Sequence, residues 1–314
     1  MYLGFDSHYI NCIIQTYSHV TPVGTNIPIY VQPFPVDESV TTEDNIEWAV
    51  TRLCNHRSGG ALGMRAEHLK RWLATTQKSE KDVTTTTARA GTKDNRGTTS
   101  VQPATEPTEV VNWTMVVDLV QSAFQEGNLA EEATGQAVVI IPNVKKYYRG
   151  IGLVEVMWKV VVAILNLRIM ASITLHDILH DFWASRGTVT AIIDAKLFQQ
   201  LAALREEVLY VIFLDMHKAY DALDRSKCLE ILEGYDVGPQ AMRLLQTYWR
   251  RLTMVARAGG YCGIAFKGEC GVTQGDPISP TILNVVADAV VRHWVMWVIA
   301  DMEEQDKLGK EGRN

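Results

Sequence analysis

Seven consecutive apolar residues, Val208 to Leu214, run directly into a carboxylate at Asp215. Leu209, Val211 and Phe213 alternate with Tyr210, Ile212 and Leu214, so a strand here is apolar on both faces and is expected to be covered on both sides. Burying a lone charge costs several kcal/mol, so Asp215 at its end should be paired or metal-bound, or else be a turn residue that binds nothing. Asp221 reads as a local hydrogen-bond acceptor, and Asp224 as the N-cap of the next helix. Tyr220 is a core aromatic unless its loop faces a ligand.

The rest of the chain frames that strand. A helix should start near Thr42, a Thr cap, with acids in its first turn and apolar Ile46, Trp48, Ala49, Val50 and Leu53 along it. A glycine-rich loop, Arg57–Gly63, separates it from a helix over 66–73. Residues 75–108 hold eleven Thr, and no aromatic, Leu or Ile occurs between Ala74 and Glu109. Such a segment cannot bury enough area to offset its ordering entropy, so it is expected to be disordered. Further helices are expected over 114–125, 154–173, 192–207, 225–233 and 239–251. A short strand over 137–141 closes at Pro142, and a hairpin over 253–266 turns at Gly259-Gly260. Ser279-Pro280 should cap a last helix running to Ile299. Four of the ten prolines fall in residues 1–36, which marks an extended arm or short edge strands.

Composition bounds the function. The 314 residues carry a net charge of −6, which by itself argues against a nucleic-acid partner. The charge is unevenly spread, however. Residues 1–50 contain six acids and no Lys or Arg, whereas 141–260 contain fifteen Lys and Arg against twelve Asp and Glu. The middle of the chain is therefore mildly basic. The five cysteines form no CxxC pair, so a zinc site and a disulfide framework are both unsupported, and buried reduced thiols are expected. No basic segment precedes an apolar one at the N-terminus, and the longest apolar runs fall short of the ~20 residues of a membrane span. An intracellular protein without a membrane segment is expected.

A second stretch, Gly271-Val-Thr-Gln-Gly-Asp-Pro-Ile-Ser-Pro280, joins a glycine-proline turn to a long apolar helix. Together with Phe213-Leu-Asp-Met-His-Lys-Ala-Tyr-Asp221 it resembles motifs B and A of reverse transcriptases of the non-LTR retrotransposon and group II intron type, in the family's order. Upstream, Val138–Ile141 with Tyr148-Arg-Gly-Ile151 and His180–Thr188 resemble the family's finger segments, and Arg57–Leu69 resembles its glycine-rich start. The resemblance implies an α+β fold: fingers and a partial palm, with helices on a small, mostly antiparallel sheet. The resemblance is strong over about 137–299, weaker over 41–73 and absent from 1–36 and the Thr-rich insert; the chain is expected to divide into an extended arm over 1–40, a helical fingers segment over 41–74, a disordered insert over 75–110, fingers and palm over 111–300, and a charged tail over 301–314. The palm sheet would carry Val208–Asp215, backed by the 192–207 and 280–299 helices.

The resemblance also implies roles. Asp215 matches the catalytic aspartate that binds Mg²⁺ in a two-metal site. Tyr220 matches the aromatic that crowds the ribose 2′ position, and Arg149 the finger residue that neutralises the triphosphate. Gln274 and Gly275 match residues beside the incoming nucleotide, and Lys145 and Lys146 share the loop of Arg149. The implied partners are an RNA template, a DNA primer and dNTP. Arg149-Gly-Ile151 replaces the family's Arg-Pro-Ile, which is expected to loosen a turn. The family's next element is an aromatic-x-Asp-Asp hairpin, but no Asp-Asp pair occurs in this sequence. The chain is therefore expected to be truncated before that motif and inactive alone, or to be a non-catalytic remnant that at most binds nucleic acid. A palm sheet without that hairpin would expose an apolar edge and lower solubility.

Overall fold

The computed structural model describes residues 3–5, 36–57, 59–60, 62–89, 107–127, 129, 131–142, 148–183, 185–209, 211, 214–216, 218–258 and 261–311. In chain order they form β1 (Leu3–Phe5), α1 (Glu43–Arg52), α2 (Ala66–Arg89), α3 (Pro107–Glu126), β2 (Gly135–Pro142), β3 (Tyr148–Val154), α4 (Val156–Ser172), α5 (Thr188–Arg205), β4 (Leu214–Met216), α6 (Ala219–Ala222), α7 (Arg225–Gly234), α8 (Pro239–Arg251), β5 (Thr253–Ala258), β6 (Tyr261–Lys267) and α9 (Ser279–Glu311). The fold is α+β. It divides into one unit of Glu38–Leu167 with Pro239–Gly268, and another of Met1–Asp37, Arg168–Gly238 and Glu269–Asn314.

In the Glu38–Leu167 unit, α1 begins where the sequence places it. The Thr42 hydroxyl accepts from Asn45 N, and the Asn45 side chain accepts from Thr42 N, which closes a capping box. Ile46, Ala49 and Val50 of α1 are buried, as are Leu69 and Leu73 of α2 and Trp113, Val120 and Phe124 of α3. Burying each large side chain fully contributes about 1.5–3 kcal/mol. The sheet has the order β3-β2-β5-β6. Its β2–β3 and β5–β6 pairs are antiparallel and β2–β5 is parallel, so it is small, mixed and mostly antiparallel. Trp158 of α4 stacks on Tyr248 of α8, with ring centroids 3.7 Å apart, and the Tyr248 hydroxyl bonds the buried Gln136 side chain of β2. One stack thus ties two helices to the central strand.

In the other unit, β4 pairs in parallel with β1, setting Gly4 opposite Asp215. Helix α9 packs on α6 and α7. Its Ser279–Val298 part has the length and apolar character of a membrane span. Yet Asn284 and Asp288 on it are buried, and both bond elsewhere in the same unit, which is the behaviour of a core helix.

Several expectations are corrected. Val208, Leu209 and Val211 are exposed and outside any strand; Val208 is 77% exposed, and the strand is Leu214–Met216 alone. Tyr210, Ile212 and Phe213 lie outside the described residues. Helix α5 contains no buried residue, so it does not back a palm sheet. The physical reason is shared: the only strand paired with β4 among the described residues is the three-residue β1, which cannot extend the ladder back to Val208.

The Thr-rich segment is helical up to Arg89, because α2 continues through it; residues 90–106 lie outside the described residues. Its Gln-Lys-Ser-Glu-Lys run favours helix without any tertiary core. The last helix continues past Ile299 to Glu311 through a charged run whose Glu and Lys residues favour helix. Gly150 sits within β3 opposite Ile140 rather than in a turn. Of the described cysteines only Cys228 is buried, and burial foremost, with the Asp224 charge, pushes its thiol up to about 12. Cys54, Cys262 and Cys270 are exposed, standing just past α1, on edge strand β6 and in a loop.

Candidate functional site

The two sequence stretches singled out above are joined backbone to backbone. After β4 the chain turns through Lys218, whose φ of +48° is left-handed, into the single turn of α6. Leu223 is buried, and the Asp224 carboxylate accepts from Ser226 N at 2.8 Å and Lys227 N at 3.1 Å, which starts α7. Asp224 is therefore a cap, as its sequence position indicates. Asp224→Ala should lower stability by about 1 kcal/mol, and Asp224→Ser should restore most of it. Thermal melting checks both.

Gly271 N donates to Leu223 O and Val272 N donates to Tyr220 O, both at 2.8 Å. From α7, the Arg225 guanidinium donates to Gly271 O at 2.8 Å. The approach is close enough that a Cβ on Gly271 would meet Asp221 O at 2.7 Å and Tyr220 O at 2.8 Å. The φ of Gly271 is +74°, so glycine is required there on two counts. Beyond this junction, Asp276 N donates to Thr273 O at 3.1 Å, closing a turn that presents Gln274 half-buried and Gly275 exposed. The start of α9 differs in one detail from the sequence expectation. Ser279 is the first residue of α9 rather than its cap, and the buried Asp276 carboxylate accepts from Ile278 N at 3.2 Å just ahead of the helix.

Behind this junction, three polar residues at four-residue spacing on α9 hold the segment 174–181. Asn284 donates to Asp181 O at 2.7 Å, Asp288 accepts from His176 N at 2.5 Å, and Arg292 donates to Thr174 O at 3.0 Å. Asp288 is fully buried and also accepts from the Tyr235 hydroxyl and Arg292 Nε, each at 2.6 Å. Arg186 closes the same segment from within. Its guanidinium donates to His176 O at 2.7 Å, Leu179 O at 2.9 Å and the Asp177 carboxylate at 3.0 Å. Sequence reasoning missed this scaffold. The readable signal was polar side chains at i, i+4 and i+8 inside an otherwise apolar helix.

The expected site residues fall as follows. Asp215 is on β4, and Tyr220 follows on α6, half-buried. Burial, with the nearby Asp181 charge, raises the Tyr220 phenol above its usual pKa. Gln274 and Gly275 are on the turn that follows the junction with Tyr220. Arg149 is on β3, opposite Ile141, in the Glu38–Leu167 unit. Lys145 and Lys146 lie outside the described residues. Asp221 is exposed and Asp224 is committed to its cap. Among the described residues no group of three or more His, Cys, Asp or Glu side chains could hold a metal ion.

Residues 141–298 match the family model described as "Reverse transcriptase (RNA-dependent DNA polymerase)". The chain is 26% identical over 173 residues to the Pol polyprotein of the type-2 retrotransposable element R2DM of Drosophila melanogaster, covering 53% of this chain and 16% of that protein. It is 30% identical over 95 residues to the Pol polyprotein of a type-1 element R2 of Nasonia vitripennis, covering 29% of this chain and 9% of the relative. The corresponding Popillia japonica protein is 31% identical over 107 residues, 33% of this chain and 17% of its own length. The chain thus spans less than a fifth of each of these relatives.

Proposed function

The chain belongs to the reverse transcriptase (RNA-dependent DNA polymerase) family, and we propose that it supplies the incoming-nucleotide side of DNA synthesis templated by RNA. The observation that carries this reading is the junction of the Tyr220–Leu223 backbone with Gly271-Val272. It fixes the loop after Asp215 against the loop bearing Gln274 and Gly275. In this reading Tyr220 crowds the ribose 2′ position, Gln274 lies beside the incoming nucleotide, and Gly275 leaves room for template and base pair. Arg149 neutralises the triphosphate; a guanidinium matches phosphate oxygens in both charge and geometry. RNA template, DNA primer and dNTP are the proposed partners.

Asp215 is the proposed catalytic carboxylate and Mg²⁺ ligand. A two-metal site needs more carboxylates than this one, and the sequence contains no Asp-Asp pair to supply them. The 314 residues are therefore proposed to be inactive by themselves, and polymerisation to need carboxylates from further polypeptide. The same observation favours the second reading, a non-catalytic remnant that binds nucleic acid at most.

The test is primer extension on an RNA template with Mg²⁺ and all four dNTPs, run beside a binding titration of the same duplex. No extension is expected, with duplex binding that weakens steeply as salt rises and is unchanged in Asp215→Ala. Robust synthesis that disappears in Asp215→Ala would overturn inactivity and the remnant reading together. Absence of duplex binding at low salt would overturn the assignment of nucleic-acid partners.

A further inference from the structure

Residues 52–78 hold six Lys and Arg against one acid, Glu67, whereas residues 1–50 hold six acids and no Lys or Arg. This reversal of charge falls on the end of α1, the glycine-rich loop and the first half of α2, all in the Glu38–Leu167 unit. Most of those cations take no part in shaping the loop. Lys70 Nζ donates to Leu53 O at 2.6 Å and His56 N donates to Glu67 Oε1 at 2.5 Å, which fastens the end of α1 to the start of α2. Gly63 N donates to Gly60 O at 3.2 Å, and Leu62 N donates to the buried Glu155 carboxylate at 2.8 Å, which pins the loop from beneath. Arg52, Arg57, Arg65, Arg71 and Lys78 are exposed. Arg52 lies over the Trp48 ring, 4.3 Å from its centroid. Arg57 opens the loop and Arg65 follows it, and neither forms an ion pair among the described residues. Farther along α2, Glu47 of α1 accepts from the Gln77 side chain at 3.1 Å, so the positive charge is densest at the loop end.

We propose that this surface binds the phosphate backbone of single-stranded RNA, at a place separate from the nucleotide site. The inference rests on the reading of RNA as a partner of this chain. Exposed guanidiniums match phosphate oxygens in charge and geometry, and here they stand on a loop whose shape is fixed by other groups. The nearby rings of Trp48 and Trp72 are half-buried, so no open aromatic platform offers itself to bases. Recognition is therefore of phosphate rather than of sequence. A flexible single strand can follow cations that pass from a loop onto a helix, whereas a stiff duplex presents its phosphates in a fixed array.

The probe is oligouridylate, titrated into the full chain at several salt concentrations without primer or dNTP and read by fluorescence anisotropy. Arg57→Ala/Arg65→Ala should weaken binding about ten-fold at low salt. It should also reduce the slope of log K against log salt by about 1.4, the share of two phosphates on a single strand. Its melting temperature should stay unchanged; Arg57→Gln/Arg65→Gln takes its place if the alanine variant fails to fold. Lys196→Ala/Arg205→Ala removes two exposed cations from α5 and should alter neither affinity nor slope. Unchanged binding in the Arg57/Arg65 variant overturns the surface. An equal loss in the α5 variant also overturns it, by reducing the effect to net charge. Polyglutamate that competes as well as RNA overturns nucleic acid as the occupant. Duplex binding without oligouridylate binding overturns this inference and leaves the proposed function standing; absence of both overturns the proposed partners as well.

Discussion

Asp288→Ala should remove about 3–5 kcal/mol of stability, enough to unfold a protein of ordinary marginal stability. The carboxylate is fully buried and takes bonds from His176 N, the Tyr235 hydroxyl and Arg292 Nε. Truncation leaves three donors without the acceptor they share, and each donor that stays buried costs about 1–3 kcal/mol. Burial alone pulls the Arg292 pKa down, but the bond and charge of Asp288 outweigh it and the pKa is raised. The Arg292 guanidinium therefore stays charged throughout the neutral range. Denaturant melts of Asp288→Ala, Asp288→Asn and the double variant Asp288→Asn/Arg292→Met check the effect. Asp288→Asn should fall between wild type and alanine, since one oxygen remains to accept. The double variant should recover part of the loss by removing the guanidinium that Asp288 had bonded. A loss below about 1 kcal/mol in Asp288→Ala would show that the three donors find other partners.

Gly271→Ala should have the next largest effect, and it should act on the proposed nucleotide site directly. The added methyl would sit 2.7 Å from Asp221 O and 2.8 Å from Asp221 Cα, so backbone has to move. The φ of +74° adds a cost of about 1 kcal/mol for any residue with a Cβ. A total loss of about 2–4 kcal/mol is expected. Unlike Asp288→Ala, this variant should also break the bonds from Gly271 N and Val272 N to Leu223 O and Tyr220 O. Amide exchange read residue by residue should therefore speed up at Gly271 and Val272 beyond the global change. Gly275→Ala is the contrasting control. Its φ of +104° is equally unsuited to alanine, but Gly275 is exposed and its loss should be limited to backbone strain. If the two variants melt alike, close packing at Gly271 does not matter and the junction is looser than its geometry indicates.

Much of the local structure is legible in the residues themselves. Thr42, Asp224 and Pro239 mark helix starts because capping and the fixed φ of proline act within one turn. The 253–266 hairpin reads from its Gly-Gly turn and flanking apolar pattern for the same reason. The errors have a different origin. Val208–Leu214 has the composition of a buried strand, yet composition states only that burial would be favourable, not that a partner strand exists to receive it. The Thr-rich run cannot form a core, yet helix needs only its own backbone bonds, so α2 continues to Arg89. Ser279 has the right type for a cap, but it is the first residue of α9, and the Asp276 carboxylate takes its bond from Ile278 N just ahead of the helix.

The candidate site divides along the same line. The order and spacing of Asp215, Tyr220, Gln274 and Gly275 are carried by the sequence, since a motif is a short contiguous pattern. That the stretches bearing them are joined through Gly271, and that Asp288 ties residue 176 to 235 and 292, are facts of the folded chain. Those contacts link residues tens of positions apart through backbone atoms that every amino acid shares. Side-chain identity therefore leaves only a faint trace of them: a glycine where nothing larger fits, and a buried aspartate on an apolar helix. The sequence by itself determined the family, the local elements and the candidate residues; tertiary structure alone decided which of them meet, because main-chain hydrogen bonds and steric clearance depend on where the chain returns.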